Sequence, residues 1–107
     1  MSDTVLVTAW SNGSPSKTGA GYGVKMSASD RDRLVLRSWG AVAIELPDGT
    51  TARANVDGDS FWRSCSELRS AGIGRWMITA GKTPWPKGLP PSFKLTLVEP
   101  GRFTLSV

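Results

Sequence analysis

Histidine is absent from this chain. Its absence removes the side chain that most readily trades protons near neutral pH, and with it the usual histidine-activated nucleophiles. Cys65 is the sole cysteine, so neither an internal disulfide nor a cysteine-based zinc site can form. No apolar run is long enough to cross a bilayer. The opening Met-Ser-Asp-Thr lacks the basic and apolar regions of a secretory signal. A cytoplasmic address, no membrane and no cofactor are the expectations.

What is present looks globular. Across 107 residues, 39% are hydrophobic and 21% charged, enough for one domain with its own core. Charge is unevenly placed along the chain. Residues 60–107 hold seven basic side chains against two acidic ones, whereas residues 1–59 hold six against seven. A one-sided positive field presents itself to something anionic, with nucleic acid the commonest candidate and an acidic protein surface the alternative.

Local patterns set the element order. Thr4 to Trp10 is β-branched and apolar and reads as a strand, Ser11 to Gly19 as a loop, and Gly21 to Met26 as a short strand. Ser27 and Ser29 each stand three residues before an aspartate, so either can cap a helix that Gly40 ends. Ala41 to Leu46 and Thr51 to Val56 flank Pro47-Asp48-Gly49 as a hairpin, with Val42, Ile44 and Leu46 on one face. Phe61, Cys65 and Leu68 form an apolar stripe that predicts a second helix from Asp59 or Ser60 to about Ala71. Arg75 to Thr79 reads as a strand. Gly81 to Ser92 contains four prolines and reads as a loop, followed by strands Phe93 to Val98 and Arg102 to Val107. The fold class expected is α+β, a small, mostly antiparallel barrel-like sheet with two short helices.

Catalytic and nucleotide motifs are thin. Gly81-Lys82-Thr83 resembles the tail of a phosphate-binding loop, but Trp76 occupies the position that needs glycine and prolines forbid the following helix. Asp30 and Asp32, two apart on a helix, face different ways and read as first-turn residues. Cys65 reads as a small core residue. The glycines at 19, 21 and 23 admit two readings, a flexible approach to a strand or a close backbone approach to phosphate beside Lys17 and Lys25. No metal site and no enzyme activity are expected.

The tryptophans divide. Trp10, Trp39, Trp62 and Trp76 lie in or beside regular elements and read as core or its edge. Trp85 is held in Thr-Pro-Trp-Pro-Lys between Lys82 and Lys87. It either caps the end of the barrel or stacks on a base while the lysines meet phosphate. Arg31, Arg33 and Arg37 read as a solvated face, and singly so do Arg63 and Arg69.

Thr18-Gly19, then Gly23-Val24-Lys25-Met26, a short helix and the Pro47-Asp48-Gly49 hairpin form a sequence order that resembles the B3-like pseudobarrel. The closing pair, Leu89 leading into Phe93 to Val98 and then Arg102 to Val107, is similar to that family's last hairpin. This is the DNA-recognition domain of some bacterial restriction endonucleases and plant transcription factors. The resemblance implies two loop arms gripping a major groove, the first carried by Lys17, Thr18, Tyr22 and Lys25. The helix before Arg75 and the Pro-Trp-Pro loop lie outside the family's pattern.

Together these features predict a non-catalytic nucleic-acid-binding domain, with DNA over RNA and duplex DNA as the expected form. The expected contacts are Lys17, Tyr22, Lys25, Arg63, Arg69, Arg75, Lys82, Trp85 and Lys87. The alternative is a protein–protein interaction module, such as an inhibitor, an adaptor or a small subunit of a larger complex. Its tryptophan and arginine content suits that role too.

Overall fold

A computed structural model describes residues 3–63 and 66–107. Among these residues, seven strands form one sheet: β1 Thr4–Ser11, β2 Tyr22–Lys25, β3 Ala41–Glu45, β4 Thr51–Asn55, β5 Glu67–Arg69, β6 Ser92–Glu99 and β7 Arg102–Ser106. Three short helices, α1 Ala28–Leu34, α2 Asp59–Arg63 and α3 Ala71–Thr79, accompany them. The strand order is β4-β3-β7-β6-β1-β2-β5. Only β3 with β7 is a parallel pair among the described residues. The sheet curls until β4 and β5, its two end strands, come into contact, and α3 packs against β2 and β4 at that seam. The result is an α+β, nearly closed, barrel-like sheet.

Period-two alternation explains which face turns inward. Val5, Val7 and Ala9 of β1, Phe93 and Leu95 of β6, and Phe103 and Leu105 of β7 are buried, while Leu6 and Lys94 between them are exposed. Trp76 of α3 meets Phe93 edge-on, with ring centroids 5.1 Å apart, so the helix joins the same core.

The Pro47-Asp48-Gly49 hairpin forms as its residues require. Gly49 sits at φ +88°, and the Asp48 carboxylate accepts from the Thr50 hydroxyl at 2.6 Å and the Thr50 N–H at 2.9 Å. Those bonds, the hydroxyl's foremost, hold the Asp48 carboxyl below its ordinary value. Ser27 caps α1 by accepting the Asp30 N–H at 3.1 Å. That helix stops at Leu34, Val35 is extended, and a 3₁₀ turn at Arg37–Trp39 runs on to Gly40 at φ +73°.

Between residues 59 and 79 the structure corrects the sequence reading. The long second helix is replaced by α2, which ends at Arg63, and by β5, which pairs antiparallel with β2. Cys65, on which the stripe reading depended, lies outside the described residues. The expected strand at Arg75 to Thr79 is the second half of α3. Ser70 caps that helix, its Oγ accepting the Gly72 N–H at 3.2 Å. Two glycines and a β-branched Ile73, Ile78 and Thr79 disfavour a helix locally. Burial of Ile73, Trp76 and Met77 at helical spacing overrides them.

Arg31 also departs from the solvated face expected of it. It is buried, donates to the Phe61 carbonyl at 2.9 Å and the Ser66 hydroxyl at 3.3 Å, and lies 5.1 Å from the Trp62 ring centroid. It ties α1 to α2 and to the segment entering β5. Asp32 pairs with it at 3.0 Å, and Asp30 with Arg33 at 3.7 Å.

Candidate nucleic-acid interface

Strand register places an aromatic and a cationic side chain on either side of a glycine. Trp10 of β1 is opposite Gly23 of β2, and Gly23 is in turn opposite Arg69 of β5. Gly23 has no room for a side chain: a Cβ there would fall 2.4 Å from the Leu68 carbonyl oxygen. Across that gap the Arg69 guanidinium carbon lies 4.7 Å from the Trp10 ring centroid. The same guanidinium donates to Glu67 at 2.9 Å, and the Glu67 side chain is only 3% exposed while that of Arg69 is 55% exposed. A buried carboxylate thus fixes one edge of an accessible planar cation.

A groove of about 340 Å³ opens beside this pair, lined by Trp10, Asn12, Gly21, Tyr22, Arg69 and Ser70. Tyr22 connects it to a smaller hollow of about 140 Å³ between Pro15, Pro84 and Trp85. The Tyr22 and Trp85 rings are 6.1 Å apart, tilted by 56°. Both are half-buried and pack against the core.

One wall of the groove is the loop of residues 12–21, built by its own hydrogen bonds. Asn12 N–H donates to the Gly21 carbonyl at 2.9 Å, Ser16 N–H to that of Ala20 at 2.8 Å, and Ser14 N–H to the Asn12 side chain at 2.9 Å. The loop docks on α3 through a glycine–glycine contact. A Cβ on Gly74 would stand 2.1 Å from the Gly19 carbonyl oxygen, and one on Gly19 would stand 2.2 Å from that of Ala71. Arg75 secures the contact by donating to the Thr18 carbonyl at 3.1 Å. Lys17 is exposed on this anchored loop.

Of the expected contact residues, Tyr22 and Arg69 line the groove, Trp85 lines the smaller hollow beyond Tyr22, and Lys17 and Arg75 lie on the loop and helix that dock at Gly19 and Gly74. Lys82, half-buried, and Lys87, exposed, flank Trp85 in the proline-rich loop, where Lys82 N–H donates to the Met77 carbonyl at 2.8 Å. Lys25 projects from β2 opposite Thr8 and Glu67. Arg63 is not brought to the groove: it ends α2, 3.9 Å from Asp59.

Trp10, Asn12 and Glu67 are not among the contacts expected from sequence. Trp10, expected in the core or at its edge, shares a face with exposed Leu6, opposite to Val5, Val7 and Ala9. Period-two alternation along β1 was a sufficient signal for that. Glu67 carried none, because its burial follows from a three-residue strand.

A second concavity of about 420 Å³ lies near Trp39, Ala43, Arg53 and Pro100, on the β3–β4 part of the sheet. A third, of about 280 Å³, lies on the other side of Arg69, beside Asn55, Asp57 and Glu67. Among the described residues no group of three or more histidine, cysteine or acidic side chains is arranged to hold a metal. None of their helices is long and apolar enough to cross a membrane. Comparison with protein-family models, curated proteins and solved structures gives no match for this chain.

Proposed function

We propose that this chain is a nucleic-acid-binding domain without catalysis of its own, directed to DNA and gripping a duplex through loops at one end of its barrel-like sheet. The observation that supports this reading is the groove at Trp10, Tyr22 and Arg69, flanked by loops that carry Lys17, Lys82 and Lys87. Aromatic faces among cations suit a ligand that is itself planar bases on an anionic backbone. Lysines on the two loops and Lys25 meet phosphates, while Tyr22 and Trp85 supply a stacking or wedge contact. On the B3-like pseudobarrel reading, the first of two loop arms would be carried by Lys17, Thr18, Tyr22 and Lys25.

The test is fluorescence anisotropy of labelled duplex DNA, single-stranded DNA and duplex RNA between about 50 and 200 mM salt. Affinity that falls steeply with salt supports the proposal, and affinity unchanged by salt refutes its electrostatic basis. The second reading, a protein-interaction module, draws on the exposed apolar side chains Leu6, Leu36 and Leu89. Capture of a partner that survives nuclease treatment favours it over the first.

A further inference from the structure

We propose that the hollow of about 420 Å³ on the outer face of β3 and β4 binds a small aromatic carboxylate, its ring over Ala41 and Ala43 beside Trp39 and its carboxylate on Arg53. The hollow shares no lining residue with the groove at Trp10 and Tyr22, and the proposal stands apart from the nucleic-acid reading. Three features carry it.

The first is an uncommitted cation. The chain has eight arginines. Arg31, Arg33, Arg37, Arg63, Arg69 and Arg102 each pair with an acidic side chain, and Arg75 donates to the Thr18 carbonyl. Among the described residues Arg53 has neither kind of partner, and it is exposed. Glu45 shares its face but is opposite Thr51, and forms no ion pair with it. A guanidinium with free N–H groups takes a carboxylate through two parallel bonds.

The second is the floor. Val42 and Ile44 of β3 are buried, so Ala41 and Ala43 face outward. Ala43 is opposite Arg53 of β4 on one side and Arg102 of β7 on the other. Two methyl groups thus stand among longer side chains and leave an apolar floor between them. Arg102 is already paired with Glu99 at 3.3 Å, which leaves Arg53 as the cation for the ligand and matches it to a single carboxylate.

The third is the wall. Trp39 is half-buried and packs against the core. Beside it stands the Pro100-Gly101 turn, where a Cβ on Gly101 would lie 4.0 Å from Trp39 Cδ2. The Gly101 carbonyl accepts the Ala43 N–H at 2.9 Å, so the turn is tied to the floor and the hollow exists before any ligand arrives. Its volume exceeds the roughly 300 Å³ at which sites for compact organic ligands begin. An aromatic ring against an indole gains more than its buried area alone provides.

The experiment is a two-dimensional NMR titration with benzoate, following the indole N–H signals and the β3 amides. Benzyl alcohol supplies the ring without the charge, and acetate the charge without the ring. The variants are Arg53→Gln, which removes the charge at an exposed position, and Ala43→Leu, which fills the floor. An unmoved Trp76 signal checks that each variant is folded. Benzoate is expected to shift Trp39 and residues 41–43 with a Kd of about 1 mM, leaving Trp10 in place. Either control, and either variant with benzoate, is expected to bind about tenfold more weakly. Benzyl alcohol binding as tightly as benzoate, or an Arg53→Gln protein that binds benzoate as the parent does, overturns the proposal. So does the absence of shifts at Trp39 and β3 with about 10 mM benzoate, well above the expected Kd. Tighter binding of adenosine monophosphate at the same signals would overturn the ligand class.

Discussion

Arg69 and Trp10 belong to strands that are not neighbours, yet the guanidinium carbon lies 4.7 Å from the indole centroid because Gly23, on the strand between them, has no side chain. The contact therefore depends on a third residue that takes no part in it. Replacing Gly23 with alanine would drive a Cβ into the Leu68 carbonyl at 2.4 Å, a backbone atom that cannot step aside. Gly23→Ala is expected to cost about 1–3 kcal/mol in urea unfolding, the range for overpacking a fitted site. It should also change Trp10 fluorescence.

The docking of the loop of residues 12–21 on α3 gives a second expectation. Alanine normally stabilises a helix over glycine by about 1 kcal/mol. At Gly74 that gain is outweighed, because the new Cβ would sit 2.1 Å from the Gly19 carbonyl oxygen. Gly74→Ala should lower stability and raise amide exchange at residues 16–21. Gly58 is the control: no atom lies within 4 Å of its Cβ position and its φ is not positive. Gly58→Ala should be neutral or stabilising by up to about 1 kcal/mol.

Arg31 anchors the other side of the molecule. Arg31→Ala removes its bonds to the Phe61 carbonyl and Ser66 hydroxyl and its contact with Trp62. A loss of about 2–4 kcal/mol is expected by denaturant unfolding, since a buried carbonyl loses a charged donor and a space opens beside an indole. Arg63→Ala, at an exposed helix end beside Asp59, should change stability by no more than about 0.5 kcal/mol.

The hairpin turn sets a pH dependence. The folded-state pKa of Asp48 is held below its unfolded value, first by the Thr50 hydroxyl and then by the Thr50 N–H. Its contribution is therefore present above the unfolded value and is lost as pH falls through the folded one. The stability difference between the parent and Asp48→Ala should be constant at neutral pH and shrink in the acid range below about pH 4. Urea unfolding at a series of pH values reads it directly, and Thr50→Val should raise the Asp48 titration midpoint seen by NMR.

Sequence made some of this architecture legible and hid the rest for physical reasons. The Pro47-Asp48-Gly49 hairpin, a serine cap at Ser27 or Ser29 and the alternating final pair of strands are readable because their signals are local; the choice of Ser27 comes from the structure. Residues 59–79 were not. Gly72, Gly74, Ile73 and Ile78 carry strand-like or helix-breaking preferences that packing against β2 and β4 overrides, and β5 is too short to show a period. At the groove, Trp10, Tyr22 and Arg69 were visible as aromatic and basic side chains, but only the pairing of β1 and β5 with β2, between segments far apart in the chain, brings them together.

The most direct test of the nucleic-acid interface is a two-dimensional NMR titration with a DNA oligonucleotide, following the five tryptophan indole N–H signals. Those of Trp10 and Trp85 should shift as ligand is added, while those of Trp76, buried in the core, and Trp62, bonded to the Val56 carbonyl at 2.6 Å, stay in place. Shifts confined to Trp39 on the β3–β4 part of the sheet, or no shift at saturating DNA, would contradict the assignment of this groove as the binding site.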